Sequence, residues 1–273
     1  MPYCSLTKAS IYYEVIGDGI PIIMIHGFGV DHRLMKGCME PIFRKRSGFK
    51  RIYFDLPGMG KTKEYHQVEN AGDILETVLD LIRMVIPDQP YLLMGESYGG
   101  YLARGLVAVQ RERIMGIGLL CPVIIPEKEK RTLPAHTILY EDDQLMEQLP
   151  VQAKEAFRSE NVVLNKKNWV RYRDEIYAGI ICADNDFLAK IEQHYGLSTK
   201  LEEDSFDKPS TFVLGKQDAV VGYKDAFQIL DRYQKASYNV LEQAGHYLQI
   251  EQADLFQKLI NEWLDRVSNN RRM

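Results

Sequence analysis

The segment Gly95-Glu96-Ser97-Tyr98-Gly99-Gly100 constrains the fold more than any other part of the chain. It follows an apolar run at 91–94 and precedes a helix-favouring stretch at 101–111. The pattern G-x-S-x-G between a strand and a helix is typical of a sharp turn that lifts a serine hydroxyl out of a sheet. Glycine is required at its two ends because side chains there would collide across the turn. The sequence therefore predicts a strand–turn–helix unit that exposes Ser97.

A serine hydroxyl exposed in this way needs partners elsewhere in the chain. It is a weak nucleophile at neutral pH unless a base removes its proton and a third group orients that base. For this turn the expected order is serine, then acid, then histidine, with the last two after later strands. Asp218 follows the predicted strand 211–214, and His246 follows the predicted strand 238–241. We therefore predict Ser97 as the nucleophile, His246 as the base and Asp218 as the orienting acid.

Three other acids are close enough in sequence to be considered for the same role. Asp204 and Asp207 precede the strand at 211–214, so they would lie at the opposite edge of a parallel sheet. Glu96 is adjacent to Ser97, but we expect it to point away across the turn as a structural residue. None of the three is predicted to replace Asp218.

Backbone donors for a developing oxyanion are also predictable. A tetrahedral intermediate is stabilised by two N–H groups, one of them from the residue after the nucleophile, which is Tyr98. The second is expected in a loop after an earlier strand. The apolar run 20–25 leads into His26-Gly27-Phe28-Gly29, so the N–H of Phe28 is the expected second donor.

Taken together, these motifs resemble those of the α/β-hydrolase superfamily over nearly the whole chain. The segments that carry the resemblance are His26-Gly27-Phe28-Gly29, Asp55-Leu56-Pro57-Gly58-Met59-Gly60, Gly95 to Gly100, 215–218 and Ala244-Gly245-His246. The chain is most similar to the small lidded members: carboxylesterases, carbon–carbon bond hydrolases and proline iminopeptidases. The resemblance implies an α/β fold with a mostly parallel central sheet, helices on both faces and an inserted helical lid. It implies no cofactor. No metal is expected either, because the sequence has no HExxH motif and no paired cysteine spacing.

The alternation of strands and helices sets the expected domain boundaries. Residues 1–121 and 207–273 alternate as a parallel sheet covered by helices requires. Residues 122–206 break this alternation with charged, helix-favouring stretches between prolines and show no convincing strand. We predict an α/β-hydrolase core at 1–121 and 207–273 and a helical lid at 122–206.

Composition and charge limit the classes of partner expected for the chain. The formal net charge of −4 argues against nucleic acid as a partner. The longest apolar run is broken by Pro122 and is too short for a transmembrane helix, and the start of the chain does not resemble a signal peptide. We expect a cytoplasmic protein that acts on a small molecule away from membranes. The oligomeric state is not predictable.

The substrate is the least constrained part of the prediction. By position, the expected pocket residues are mostly apolar or aromatic: Phe28, Tyr98, Val123, Trp169, Val220, Val221 and Tyr247. They favour an uncharged acyl or alkyl group, and a small carboxylic ester is the leading expectation. A carbon–carbon bond hydrolase is the alternative. A proline iminopeptidase is less favoured because that family usually has Trp where this chain has Tyr98. A cofactor-free haloperoxidase and a small-molecule receptor with slow turnover stay open.

Overall fold

The computed structural model describes residues 3–270, and the predictions for residues 1–2 and 271–273 lie outside this range. The strands are β1 (Tyr3–Ser5), β2 (Ser10–Ile16), β3 (Ile20–Ile25), β4 (Phe49–Phe54), β5 (Tyr91–Glu96), β6 (Ile114–Leu120), β7 (Tyr140–Glu141), β8 (Val163–Leu164), β9 (Phe206–Gly215) and β10 (Tyr233–Leu241). The helices are α1 (His32–Phe43), α2 (Ala71–Val85), α3 (Tyr98–Gln110), α4 (Asp143–Gln148), α5 (Val151–Glu160), α6 (Lys166–Tyr172), α7 (Ala178–Ile180), α8 (Asn185–Glu192), α9 (Lys224–Phe227), α10 (Leu248–Glu251) and α11 (Ala253–Asn270).

Eight of the strands form one sheet in the order β1-β2-β4-β3-β5-β6-β9-β10. The strands β1 and β2 pair antiparallel with each other, and β2 pairs antiparallel with β4. The pairs from β4 onward are parallel. In the parallel part, β3 and residues 91–94 of β5 are continuous apolar runs, as expected for strands covered on both faces. Strand β5 lies between β3 and β6, so the turn after it opens at the middle of the sheet edge.

Helices cover both faces of this sheet. On one face α1 and α11 pack against each other and against the strands, and on the other α2 packs on α3. The helix α11 buries one stripe at helical spacing: Phe256, Ile260, Trp263, Leu264 and Val267. The indole N–H of Trp263 donates to the carbonyl of Pro209 in β9 (3.0 Å), which satisfies its one polar atom inside the core. This arrangement confirms the fold class predicted from the sequence.

The chain leaves the sheet after β6 and returns to it at β9, and the segment between them is called the insertion below. It contains helices α4 to α8, and α6 continues through a π-helical turn at Arg173–Tyr177. It also contains the short parallel pair β7–β8, so the expectation of no strand in this segment was wrong. Each of these strands has two residues, which is too short to produce an alternating pattern. The division of the chain into a core and a lid stays a prediction.

Two helices outside the insertion have unusual features. The helix α9, which follows β9, ends at Phe227 after a single turn. Within that turn the buried Asp225 accepts the backbone N–H of Thr132 (2.8 Å), which joins the segment to the insertion. The helix α1 was not anticipated, and Pro41 lies inside it. Within residues 3–270, every helix is too short or too polar to span a lipid bilayer.

Candidate active site

Ser97 lies in the turn between β5 and α3 with φ 51° and ψ −116°, a conformation that L-residues rarely adopt. The two glycines of the motif make this turn possible. A Cβ on Gly95 would collide with the backbone of Gly99, and a Cβ on Gly99 would collide with the carbonyl of Ile25 in β3. The backbone is therefore strained at Ser97, and strain of this kind is concentrated at functional sites.

Asp218 and His246 lie in the loops that follow β9 and β10, at the same edge of the sheet as Ser97. The two loops are joined by the backbone hydrogen bond from Gln217 N–H to the carbonyl of Ala244 (2.9 Å). Asp218 Oδ2 is 3.0 Å from His246 Nδ1, and both residues are buried. This contact leaves Nε2 as the ring nitrogen that faces the cavity.

The electrostatics of this pair favour a charged carboxylate beside the ring. Burial alone would raise the pKa of Asp218, but attraction to His246, their hydrogen bond and the N–H groups of Val221 and Val220 hold the pKa below its usual range. Asp218 Oδ1 accepts the N–H groups of Val220 (2.9 Å) and Val221 (3.1 Å). For His246, burial lowers the pKa, whereas Asp218 and then Glu96 raise it above its ordinary value.

Ser97 and His246 open into a common cavity of about 230 Å³. Its walls come from the loop after β3, the turn after β5, the loops after β9 and β10, and the insertion. The lining residues are Gly27, Phe28, Val30, Glu96, Ser97, Val123, Lys128, Arg131, Glu160, Glu192, Tyr195, Val220, Val221, His246 and Tyr247. Among the hydrogen bonds of residues 3–270 there is none between Ser97 and His246. In unliganded sites such catalytic hydrogen bonds are often long and tighten only around substrate.

The two residues expected to supply oxyanion donors lie on either side of Ser97. Phe28 lines the cavity, and its ring packs edge-on against Tyr98 with centroids 5.3 Å apart. Tyr98 is the first residue of α3, so its backbone N–H has no acceptor within the helix. The positive end of the α3 dipole is at the same place. A negative oxygen above Ser97 would be stabilised by both features.

The predicted pocket residues divide into two groups. Val220, Val221 and Tyr247 line the cavity, as does Val123. Trp169 is not among the lining residues: its ring packs inside the insertion against Phe157 with centroids 5.3 Å apart. An aromatic residue in a helix gives no sequence signal that distinguishes these two positions.

The walls of the cavity are more polar than expected. The insertion contributes the charged residues Lys128, Arg131, Glu160 and Glu192, which were not among the expected pocket residues. Lys128 Nζ pairs with Glu192 Oε1 at 2.8 Å, and both side chains are exposed at the cavity mouth. The Arg131 guanidinium donates to the backbone carbonyl of Ile125 in the insertion (2.9 Å) and to that of Val220 in the loop after β9 (3.1 Å). No spacing in the sequence marks these four residues.

Glu96 also differs from its predicted position. Its carboxyl lines the cavity instead of pointing away from Ser97, and its Oε1 is 3.4 Å from His246 Nε2. Space for it exists because Gly27 has no side chain: a Cβ there would collide with Glu96 Oε2. Its position next to Ser97 in the sequence was the available signal.

Within the described residues 3–270, two buried groups have the residue types of a metal site. One is Cys121, Asp218 and His246, and the other is Asp31, His32 and Asp55. In the second group Asp31 is paired with Arg33, and Asp55 accepts from the ring of His32 (2.7 Å). In the first group Asp218 already accepts three hydrogen bonds. The carboxylates of both groups are therefore engaged by the protein itself.

The strain at Ser97 predicts a stability difference between two variants that lack its hydroxyl. Ser97→Gly is expected to unfold with a free energy about 1 kcal/mol higher than Ser97→Ala, because glycine adopts positive φ without strain but loses more entropy on folding. Both variants lack the hydroxyl, so the hydroxyl does not contribute to the difference. Urea unfolding followed by circular dichroism measures the difference, and a less stable glycine variant would contradict it.

Comparison with known proteins agrees with the fold. The family model of the alpha/beta hydrolase family matches residues 22–258. The structure is similar to an alpha/beta superfamily hydrolase from Oenococcus oeni PSU-1, with a TM-score of 0.89 and 30% identity over 98% of this chain and 100% of that one. The sequence is 22% identical to monoacylglycerol lipase ABHD6 of Mus musculus (91% of this chain, 76% of the relative). It is 19% identical to 2-hydroxy-6-oxo-6-(2'-aminophenyl)hexa-2,4-dienoic acid hydrolase of Metapseudomonas resinovorans (93% and 87%). The chain therefore belongs to the alpha/beta hydrolase family.

Proposed function

We propose that the protein is a serine hydrolase that cleaves a small carboxylic ester through an acyl-enzyme. The observation that carries this proposal is the strained turn that presents Ser97 to the same cavity as His246, with Asp218 3.0 Å behind the ring. A strained serine without a chemical role would not account for a buried imidazole–carboxylate pair in its cavity.

The proposed reaction has two similar halves. His246 Nε2 accepts the proton of Ser97 as Oγ attacks the carbonyl carbon of the ester, and Asp218 stabilises the imidazolium and holds the ring tautomer. The N–H groups of Phe28 and Tyr98 stabilise the oxyanion, where loss of one such donor typically costs about 2.7–4 kcal/mol. His246 then returns the proton to the leaving alcohol. Water repeats the cycle on the acyl-enzyme and releases the acid.

The size and the lining of the cavity favour a small substrate. Its volume of about 230 Å³ is less than the roughly 300–1,000 Å³ of sites that enclose drug-sized ligands. Val123, Val220 and Val221 offer an apolar wall to a short acyl chain, and the charged residues of the insertion line the remainder. We propose that the insertion acts as a lid and that its charged residues select the alcohol part of the substrate.

The test combines a substrate panel with a covalent probe. Nitrophenyl esters of increasing chain length, an amino-acyl arylamide and a dienoate ring-cleavage product are compared by kcat/KM. The short acyl esters, acetyl to butyryl, are expected to react fastest, and mass spectrometry after fluorophosphonate treatment should find stoichiometric labelling at Ser97. A dienoate that reacts faster than every ester would instead support a carbon–carbon bond hydrolase. Absence of labelling together with tight binding of an unmodified small molecule would favour a receptor.

A further inference from the structure

The carboxyl of Glu96 is a buried acid that the reaction above does not use. The residue is 1% exposed, and neither of its carboxyl oxygens has a hydrogen-bond partner among the described residues. A buried polar group without a partner destabilises the fold, so such groups are rare without a function. Its side chain also faces the cavity that Ser97 and His246 share. These observations point to a role in the site.

The carboxyl lies against the ring nitrogen that has to accept the proton of Ser97. Glu96 Oε1 is 3.4 Å from His246 Nε2, whereas Asp218 Oδ2 is 3.0 Å from Nδ1. The imidazole therefore lies between two carboxyl groups, one at each nitrogen. Burial raises the pKa of Glu96 to about 8, and attraction to His246 opposes this rise. Once Glu96 has lost its proton, its carboxylate and the imidazolium of His246 stabilise each other's charged form.

We propose that Glu96 is a positioning residue that sets the pH at which His246 becomes a free base for Ser97. The inference rests on the proposed function, because it concerns the base of that reaction. A proton on Nε2 is stabilised by the carboxylate of Glu96 as well as by Asp218. This proton has to leave for solvent before Nε2 can accept the one from Ser97 Oγ. The pH at which the enzyme gains activity is therefore higher than Asp218 alone would make it.

The other groups around the His246 ring do not set the pH at which it becomes a free base. Cys121, from the end of β6, and Tyr247, beside His246, both have a pKa raised by burial, so they stay neutral. Glu160 at the end of α5 adds a further negative charge to the cavity, with a smaller effect on the pKa of His246 than that of Glu96. The other charged residues lining the cavity are Lys128, Arg131 and Glu192. Glu96 is thus the acid in contact with Nε2.

The first test is the pH dependence of Ser97 labelling by a fluorophosphonate, which needs no knowledge of the natural substrate. Glu96→Gln keeps the shape of the side chain and removes its charge. The acidic limb is the low-pH part of the pH–rate profile, where the labelling rate rises with pH. In Glu96→Gln this limb is expected to lie about one pH unit or more lower than in the wild type. At a pH below the wild-type limb, Ser97 of the variant should therefore be labelled roughly ten times faster. An unmoved limb would overturn the proposal. A lower rate with the same limb would indicate a packing role only, and would overturn it equally.

The matched control is Glu192→Gln, which removes a carboxylate from the same cavity at its exposed mouth. Its limb is expected to stay at the wild-type position. An equal shift in both variants would assign the effect to the total charge of the cavity, and would overturn the specific role of Glu96.

A second measurement does not depend on the variant folding or on any activity. In the wild-type protein, ¹³C spectra of the Glu96 carboxyl and the His246 ring are expected to change together, in shared titration steps. A Glu96 carboxyl that titrates alone near its ordinary pKa would overturn the proposal. A wild-type protein that is never labelled, but shows the shared steps, would contradict the proposed function and leave the coupling of Glu96 with His246 established.

Discussion

Ser97→Ala is expected to lower kcat/KM for the best ester by about 10⁴-fold or more, with no loss of folded protein. The magnitude follows because the nucleophile, base and acid act as a unit, and removal of the nucleophile leaves only the contribution of binding and oxyanion donors. Ser97 is the residue at the turn between β5 and α3 and is 7% exposed, so the loss of one oxygen leaves the packing of the core intact. Initial rates with purified variants, beside circular dichroism spectra, measure both parts of the prediction.

Ser159→Ala is the matched control for that experiment. Ser159 is an exposed serine near the end of α5, and its hydroxyl donates to the carbonyl of Ala156 one turn earlier (2.9 Å). Its activity is expected to equal that of the wild type. Retention of esterase activity by Ser97→Ala would refute the assignment of the nucleophile, whatever the control shows.

Glu251→Ala is expected to lower the free energy of unfolding by about 3 kcal/mol and to weaken the site at the same time. Glu251 Oε1 accepts the backbone N–H groups of Val162 (2.6 Å) and Val163 (3.0 Å), and Oε2 accepts that of Gly245 (2.6 Å). Removal of the carboxyl leaves these donors without an acceptor. Each donor that stays buried lowers the free energy of unfolding by roughly 1–3 kcal/mol. Gly245 directly precedes His246, so labelling of Ser97 should also slow.

Two further variants serve as comparisons for Glu251→Ala. Glu251→Gln keeps one carbonyl oxygen for Val162 and Val163 but presents an amide to Gly245, so an intermediate loss is expected. Glu262→Ala removes an exposed acid of α11 that pairs with Arg266 four residues later, and is expected to change stability by less than about 0.5 kcal/mol. Urea unfolding measures all three. A Glu251→Ala variant as stable as Glu262→Ala would show that the insertion does not depend on this acid.

The chemistry of the proposed site depends on features that are local in sequence. The glycines on both sides of Ser97 follow from steric limits within a few residues, and such limits can be read without knowledge of distant contacts. Asp218 and His246 were placed by a topological argument: residues that follow parallel strands meet at the same edge of the sheet. The structure brings them within 3.0 Å of each other. Their catalytic roles stay predictions that the labelling and rate experiments test.

The features that were predicted incorrectly depend on contacts between distant segments. Glu96 faces the ring of His246, 150 positions later in the chain, through space that Gly27 leaves open. The insertion supplies charged walls, and Trp169 packs against Phe157 instead of facing the cavity. Helical periodicity identifies an apolar face, but it does not say which neighbour that face covers. The direction of a side chain in the insertion therefore could not be predicted.

The sequence by itself determined the parallel sheet and the serine at its central turn, because apolar strand runs and obligatory glycines act over short distances. Only the tertiary structure decided what surrounds that serine. The position of a carboxyl at each nitrogen of His246, and the charged residues at the cavity mouth, come from packing between segments far apart in the chain. Burial then changes the pKa of these groups, so the reactivity of the site depends on contacts that no single segment encodes.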